Sequence, residues 1–124
     1  MRHHHVGIAV KNIEDVVSGP QIPGLTFSDT VYDPRLRAEL CLVTMPDGSL
    51  IELVSGPVVE RFLEAAPSPY HICYEVESVR EALDQWKSSG SIIVLDETPA
   101  ILFGGRLIGY VYTKFGLIEF LESA

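Results

Sequence analysis

Hydrophobic and polar residues alternate along the chain with two different periods. Segments with these two periods occur in the same order in both halves of the chain. Short runs with a period of two predict strands, whereas a run with a period of 3.6 predicts a helix. The predicted strands cover residues 4–10, 25–31, 37–45 and 49–54, then 70–76, 91–96, 106–113 and 116–122. A helical segment follows the first strand of each set. The pattern therefore predicts the order βαβββ, repeated once.

The second helix has the clearer pattern of the two. Its apolar residues occupy positions i, i+3, i+4 and i+7 and are Val79, Ala82, Leu83 and Trp86. Ser78 is the predicted N-cap, and Gly90 lies where a C-cap is expected. The first helix is predicted to begin after Asn12 and to be short, because the segment SGPQIPG contains two prolines and two glycines.

Direct comparison of the two halves supports a repeat. The segment HVGIAVKNIEDVV, which begins at His5, aligns without gaps with HICYEVESVREAL, which begins at His71. Further on, SLIELVSG aligns with GLIEFLES at nearly the same offset, and this places Glu52 opposite Glu119. We interpret the chain as one domain, residues 1–124, made of module 1 (1–56), a linker with one helical turn (57–69) and module 2 (70–124).

The two aligned glutamates lie in strands that are apolar on both faces. An ionised carboxylate covered on both sides costs several kcal/mol unless a partner compensates. A metal ion, an arginine or a raised pKa would each meet that need. Because Glu52 and Glu119 occupy equivalent positions of the repeat, we expect both to be buried and partnered.

The aligned histidines also occupy equivalent positions. Alternation places each of them on a strand face with small or polar neighbours. These neighbours are Gly7 and Ala9 for His5, and Cys73 and Glu75 for His71. Two imidazoles and two carboxylates suit a divalent first-row ion such as Zn, Ni, Co, Mn or Fe. Within the triplet that ends at His5, His4 is expected on the opposite face and His3 at or beyond the start of the strand.

Composition narrows the classes of partner. The net charge of the 124-residue chain is −8 and it shows no basic stripe, so nucleic acid is not an expected partner. The sequence contains neither an apolar run long enough for a membrane span nor a signal peptide, and we expect a soluble, cytoplasmic protein. Cys41 and Cys73 are expected to be reduced core thiols. An anionic ligand would need a basic lip, for which the candidates are Arg35, Arg37, Arg61, Arg106 and Lys114.

The segments HHVGIAVKNIED, IELVSGP, PYHICYEVESV and GLIEFLE resemble the vicinal-oxygen-chelate superfamily, and most of all its branch with glyoxalase I (lactoylglutathione lyase) and methylmalonyl-CoA epimerase. The resemblance implies an α+β fold in which two tandem βαβββ modules form a curved, eight-stranded half-barrel around a metal ion. The implied ligands are His5, Glu52, His71 and Glu119, and the implied ion is Ni, Zn, Co or Mn. Glyoxalase I has a glutamate at the position that matches Glu52, whereas the epimerases more often have a glutamine there.

The resemblance further implies proton abstraction next to a carbonyl, through an enediolate. Glu119 and Glu52 are the implied acid/base residues, and Asp33 matches a glutamate that the epimerases of the family also use. Independently of the resemblance, Arg106, which follows Gly104 and Gly105, and Arg37 are the predicted contacts for an anionic part of the substrate. The first expectation is therefore a lyase or isomerase of the glyoxalase I type that acts on a small carbonyl or thioester compound.

Three alternatives stay open at this stage. The first is an epimerase like methylmalonyl-CoA epimerase, although Asp33 is a shorter acid in a shorter loop than the family pattern has. The second is a binding protein without catalysis, like the bleomycin-resistance members, which generally lack the four ligands. The third, an Fe(II) ring-cleaving dioxygenase, needs only two histidines and one glutamate. Members of the family pair modules within one chain or between subunits, so a homodimer is also left open.

Overall fold

The computed structural model describes residues 1–19, 22–63, 68–113 and 116–124. Contacts divide the chain into two compact units. The N-terminal unit comprises His5–Tyr70, and the C-terminal unit comprises Met1–His4 together with His71–Ala124. The first strand therefore contributes residues to both units.

The described residues form nine strands, two α-helices and one 3₁₀ helix. The strands are β1 (Arg2–Ala9), β2 (Thr26–Phe27), β3 (Val31–Asp33), β4 (Ala38–Thr44), β5 (Leu50–Ser55), β6 (Ser68–Val76), β7 (Ile92–Pro99), β8 (Leu107–Thr113) and β9 (Gly116–Glu122). The helices are α1 (Ile13–Val17), the 3₁₀ helix (Pro57–Phe62) and α2 (Val79–Ser88). The α+β class is confirmed, and the C-terminal half has the predicted βαβββ order in β6, α2 and β7–β9, whereas the N-terminal half has one strand more than predicted.

In the N-terminal unit, β1 pairs with β5 in parallel, and β5 pairs with β4 in antiparallel orientation. Both β2 and β3 pair with β4, also antiparallel. One face of these strands packs on α1 around a cluster of buried apolar side chains. The cluster consists of Val10, Ile13, Cys41, Val43 and Leu53.

The C-terminal unit repeats this arrangement. Strand β6 pairs with β9 in parallel, β9 with β8 and β8 with β7 in antiparallel orientation, and the β7–β8 register shifts twice. The amphipathic α2 covers one face of these strands. Its core cluster consists of Val79, Leu83, Val111, Ile118 and Phe120.

The predicted helix ends are confirmed. The side chain of Asn12 accepts a hydrogen bond from the backbone N–H of Asp15, and that of Ser78 from the N–H of Glu81. Gly90 follows α2 with φ 103°, a conformation that glycine adopts without a steric cost. No described helix has the length and hydropathy that a membrane span requires.

One predicted strand is wrong: the run at 25–31 forms two short strands, so the expected eight strands are nine. Ser28 lies between them, and its side chain causes the break. Its hydroxyl oxygen accepts a hydrogen bond from the N–H of Leu42 at 2.8 Å, and the hydroxyl donates to the carbonyl of Asp29 at 3.0 Å. A serine that bonds backbone groups in this way competes with the regular strand ladder.

Several boundaries also differ from the prediction. Strand β1 begins at Arg2, so His3 lies inside the strand and not at or beyond its start. The linker predicted for 57–69 contains the 3₁₀ helix and the first residues of β6, while residues 64–67 lie outside the described ranges. Lys114, one of the candidates for the basic lip, also lies outside the described ranges. Cys41 and Cys73 are buried and form no disulfide bond, as expected.

Candidate metal centre

The N-terminal unit brings the first predicted histidine and glutamate together. Parallel pairing of β1 with β5 sets Gly7 opposite Glu52, so Glu52 lies on the strand face that also carries His5. The distance from His5 Nε2 to Glu52 Oε2 is 3.7 Å, and both side chains are buried.

The C-terminal unit repeats the pair with a closer approach. Cys73 lies opposite Glu119 in the parallel β6–β9 ladder, two residues after His71. The distance from His71 Nε2 to Glu119 Oε1 is 3.0 Å. The side chains of His71 and Glu119 are 0% and 1% exposed, so neither group relies on bulk water.

The two pairs follow one rule of geometry. In each unit the glutamate lies opposite the residue two positions after the histidine, and a period of two returns both side chains to the same face. The alternation predicted from the sequence is confirmed by burial. His5, Gly7 and Ala9 are buried along β1, and His71, Cys73 and Glu75 are buried along β6. Each unit thus holds one imidazole and one carboxylate away from solvent, which is a donor set that divalent ions prefer.

Asp33, the third predicted acid/base residue, ends β3 and is fully buried. Its Oδ1 accepts hydrogen bonds from the backbone N–H groups of Arg35 at 2.9 Å and Leu36 at 3.4 Å. These bonds fix the turn into β4, in which Arg37 adopts a left-handed conformation with φ 55°. Asp33 therefore has a structural function that the sequence did not predict.

Two substitutions of Asp33 separate its functions. We expect Asp33→Ala to lower the free energy of unfolding by about 1–2 kcal/mol, because two backbone N–H groups lose their acceptor. Asp33→Asn keeps an oxygen acceptor and should lose less than half of that, as measured by urea unfolding. If Asp33 also transfers a proton, the folded Asp33→Asn protein should lose about 100-fold in kcat. An unchanged kcat would restrict Asp33 to the turn.

The two arginines predicted to contact substrate have different surroundings. Arg37 is exposed in the turn between β3 and β4. Arg106 precedes β8, and its Nη2 donates to Glu75 Oε2 at 2.6 Å while its Nε donates to the carbonyl of Glu122 at 2.8 Å. These two bonds use two of the five guanidinium N–H groups.

Glu75 is a charged residue whose partners the sequence did not reveal. It is buried on the face of β6 that carries His71. Besides Arg106 it pairs with a second arginine, since Arg2 Nη2 lies 2.7 Å from Glu75 Oε1. The hydrogen bond from Arg2, followed by that from Arg106, lowers the pKa of the Glu75 carboxyl. Two guanidinium groups therefore keep this buried carboxylate ionised.

This ion cluster predicts a pH dependence of stability. Because the pKa of Glu75 is lower in the folded protein than its ordinary value of 4.5, its stabilisation is present above about pH 4.5 and is lost as the pH falls further. We expect Glu75→Gln to lower the free energy of unfolding by about 1–2 kcal/mol at pH 7, with a smaller difference from the unsubstituted chain below pH 4. The exposed Glu77→Gln is the matched control. An equal effect of both substitutions at pH 7 would contradict the assignment.

One residue beside the C-terminal pair did not emerge from the sequence analysis. Tyr110 of β8 lies directly opposite Glu119 in the antiparallel ladder and is buried. Its ring meets the imidazole of His71 edge to face, with 5.4 Å between the centroids and 68° between the planes. The signal that could have found it is the two-residue gap between the strands predicted over 106–113 and 116–122, since antiparallel pairing counted back from that gap sets Tyr110 opposite Glu119.

Comparison with known proteins gives one match to a family. The family described as the glyoxalase/bleomycin resistance protein/dioxygenase superfamily matches residues 4–110, which include three of the four predicted ligands. The matched range contains most of β1, both α-helices, β5 and β6, and it ends before β9, the strand that carries Glu119.

The individual relatives have low sequence identity to this chain, between 17% and 28%. The chain is 28% identical over 120 residues to ethylmalonyl-CoA/methylmalonyl-CoA epimerase of Cereibacter sphaeroides. That alignment covers 91% of this chain and 89% of the relative. The crystal structure of methylmalonyl-CoA epimerase from Mycobacterium tuberculosis superposes with a TM-score of 0.78 at 17% identity, over 99% of this chain and 88% of that one. A Streptomyces coelicolor methylmalonyl-CoA epimerase variant, in complex with 2-nitronate-propionyl-CoA, superposes with a TM-score of 0.76 at 19% identity. The superposition covers 100% of this chain and 98% of that one. The fold is therefore shared with these epimerases.

Proposed function

Since the chain belongs to the glyoxalase/bleomycin resistance protein/dioxygenase superfamily, we propose that it is a metal-dependent epimerase of a 2-substituted acyl-CoA thioester of the methylmalonyl-CoA kind. The relatives favour this alternative over the glyoxalase I type of lyase that the sequence first suggested. The observation that carries the proposal is the buried histidine–glutamate pair, which each unit holds in the same register.

We further propose that one divalent ion is held by His5, Glu52, His71 and Glu119. All four side chains are buried, and all four are of ligand types that Zn, Co, Ni and Mn accept. Buried carboxylates are costly unless a positive charge compensates them, and a divalent ion supplies it. When bound, the ion would contribute Lewis-acid stabilisation of the negative charge that develops on the thioester carbonyl oxygen.

Epimerisation needs a group that removes the proton at C2 and a group that returns a proton to the opposite side of the same carbon. The repeat supplies one carboxylate per unit, Glu52 and Glu119, and we assign these two to the proton transfers. Burial keeps bulk water away from both carboxylates, so the carbanion equivalent receives its proton from a glutamate and not directly from solvent, and that glutamate exchanges its own proton with solvent between turnovers. Asp33 is retained as the third acid/base candidate, subject to the Asp33→Asn test.

An anionic substrate has two proposed contacts, Arg106 and Arg37. Arg106 is the better placed of the two in chemical terms, since its bonds to Glu75 and to the carbonyl of Glu122 fix the guanidinium while leaving N–H groups for a ligand. Arg37 is exposed and lies in a tight turn. We propose Arg106 for recognition of the acid group and Arg37 for a peripheral contact.

Exchange of the C2 proton tests the proposal. The protein is stripped of metal, reloaded with Co²⁺, Ni²⁺, Mn²⁺ or Zn²⁺, and incubated in D₂O with one epimer of methylmalonyl-CoA. We expect deuterium at C2 by mass spectrometry and loss of the circular dichroism of the starting epimer. The stripped protein and a Glu119→Gln variant serve as controls. Absence of exchange with every metal would overturn the proposal.

A glyoxalase I-type activity is the second candidate, and one residue favours it. Position 52 holds glutamate, which the glyoxalase I branch prefers, whereas the epimerases more often have glutamine there. The same metal-loaded protein is therefore assayed with hemithioacetals of methylglyoxal. Conversion of a hemithioacetal without exchange of the thioester proton would establish the lyase. Binding of CoA thioesters without either reaction would indicate a binding protein.

A further inference from the structure

We propose that Tyr110 is a further residue of the reaction site, whose phenol hydroxyl donates a hydrogen bond to the oxygen that becomes negatively charged when the substrate loses its C2 proton. The inference rests on the proposed function and deepens it. Neither the repeat nor the ligand chemistry calls for a tyrosine at this position, and its neighbours in the C-terminal unit support the assignment.

The position of Tyr110 is fixed by the sheet. In the antiparallel β8–β9 ladder it lies directly opposite Glu119, and directly opposed residues project to the same face. Its ring edge contacts the imidazole of His71 at 5.4 Å between centroids. Tyr110 is only 6% exposed. The ring therefore lies beside His71 and on the strand face of Glu119, two residues that we assign to the metal and to proton transfer.

The N-terminal unit shows what the fold alone requires at this position. There, Glu52 is opposed in its ladder by Leu42, which is the counterpart of Tyr110. An aliphatic side chain therefore satisfies the packing beside the first histidine–glutamate pair. Relative to leucine, tyrosine adds an edge contact to the imidazole and a hydroxyl donor. Both units thus have the histidine–glutamate pair, but of these two opposed positions only that of the C-terminal unit holds a hydroxyl donor.

The proposed reaction gives a use for that donor. Removal of the C2 proton leaves an electron pair that is shared with the thioester carbonyl, so negative charge accumulates on oxygen. Glu119 accepts hydrogen bonds when ionised but cannot donate one, whereas a neutral phenol donates without bringing a further charge. In a water-excluded site such a donor favours the charged state over the starting thioester. The O–H bond of Tyr110 stays intact, because the proton that moves is taken and returned by the glutamates.

Tyr110→Phe tests the hydroxyl alone, and Tyr112→Phe is its matched control on the same strand, since Tyr112 is 59% exposed. With the metal-loaded protein and methylmalonyl-CoA in D₂O, we expect Tyr110→Phe to lower kcat and deuterium incorporation by about 100-fold, with little change in KM. Binding of 2-nitronate-propionyl-CoA, measured by calorimetry, should weaken at least about tenfold. Tyr112→Phe should match the unsubstituted protein in kcat, deuterium incorporation, KM and binding of 2-nitronate-propionyl-CoA.

Four results would overturn the assignment. They are an unchanged kcat in Tyr110→Phe, equal losses in both variants, a loss explained by lower metal content, and a thermal midpoint that falls by more than about 5 °C, which would mark the hydroxyl as structural. The proposed function fails in a different way, because the unsubstituted protein would then neither exchange the C2 proton nor turn over. Exchange by the unsubstituted protein together with a fully active Tyr110→Phe refutes the Tyr110 assignment and leaves the epimerase proposal standing.

Discussion

Replacing His5 with alanine is expected to lower the affinity for a divalent ion by at least about 100-fold and to abolish proton exchange at C2. Residues that merely hydrogen-bond a metal ligand change affinity by about 10–100-fold, so the loss of a ligand should exceed that range. His5 is fully buried, and its imidazole lies 3.7 Å from the Glu52 carboxylate, so the substitution leaves that carboxylate buried beside a cavity. Competition titrations with Co²⁺ and Zn²⁺ measure the affinity.

His3→Ala is the matched control for this prediction. His3 belongs to the same strand and the same histidine run, but it is exposed and contacts the ring of Tyr74 at 5.9 Å. We expect its metal affinity and its exchange rate to stay within a factor of two to three of the unsubstituted protein. Equal losses in His3→Ala and His5→Ala would show that the run acts as a unit, and the assignment of one ligand would be wrong.

Replacing Phe120 with alanine should lower the free energy of unfolding by about 3–5 kcal/mol. Phe120 is fully buried, is adjacent in sequence to Glu119, and projects to the opposite strand face. There it packs with its ring 6.0 Å from that of Trp86, in the cluster that joins α2 to the strands. The large value has two sources, because the substitution removes apolar contacts and leaves a cavity.

Urea unfolding of Phe120→Ala is compared with Ile92→Ala, whose side chain is 66% exposed on β7. The control should change stability by no more than about 0.5 kcal/mol. A loss below about 1 kcal/mol in Phe120→Ala would mean that α2 does not depend on this cluster. Measurement of metal affinity in the same variant tells whether the core also supports the geometry of the neighbouring glutamate.

The repeat made most of the candidate centre predictable. Alignment of His5 with His71 and of Glu52 with Glu119 identified the buried pairs, because equivalent residues of a repeat occupy equivalent environments. Strand alternation then gave the buried face correctly. The α+β order of elements followed from the same patterns, since periods of two and 3.6 differ clearly in runs of this length.

What the sequence did not reveal depends on side chains that meet across strands. The break at Ser28 arises from its bonds to the backbone of a distant strand, which a local pattern does not record. Glu75 looked like one polar residue of an alternating strand, and only the folded chain brings Arg2 and Arg106 to it. In the sequence, Tyr110 looks like an ordinary core residue of a strand. Only the register of the folded sheet places it opposite Glu119.

The parallel pairing of β1 with β5 and of β6 with β9 has a consequence for folding. Within each unit, the strand with the histidine comes early in the chain and the strand with the glutamate comes late, so each pair closes a long loop. Contacts between residues so far apart in sequence form slowly, because the entropy of closing the intervening loop must be lost before the contact stabilises the chain. Metal uptake during refolding should therefore lag behind helix formation, and it reports the completion of the native topology.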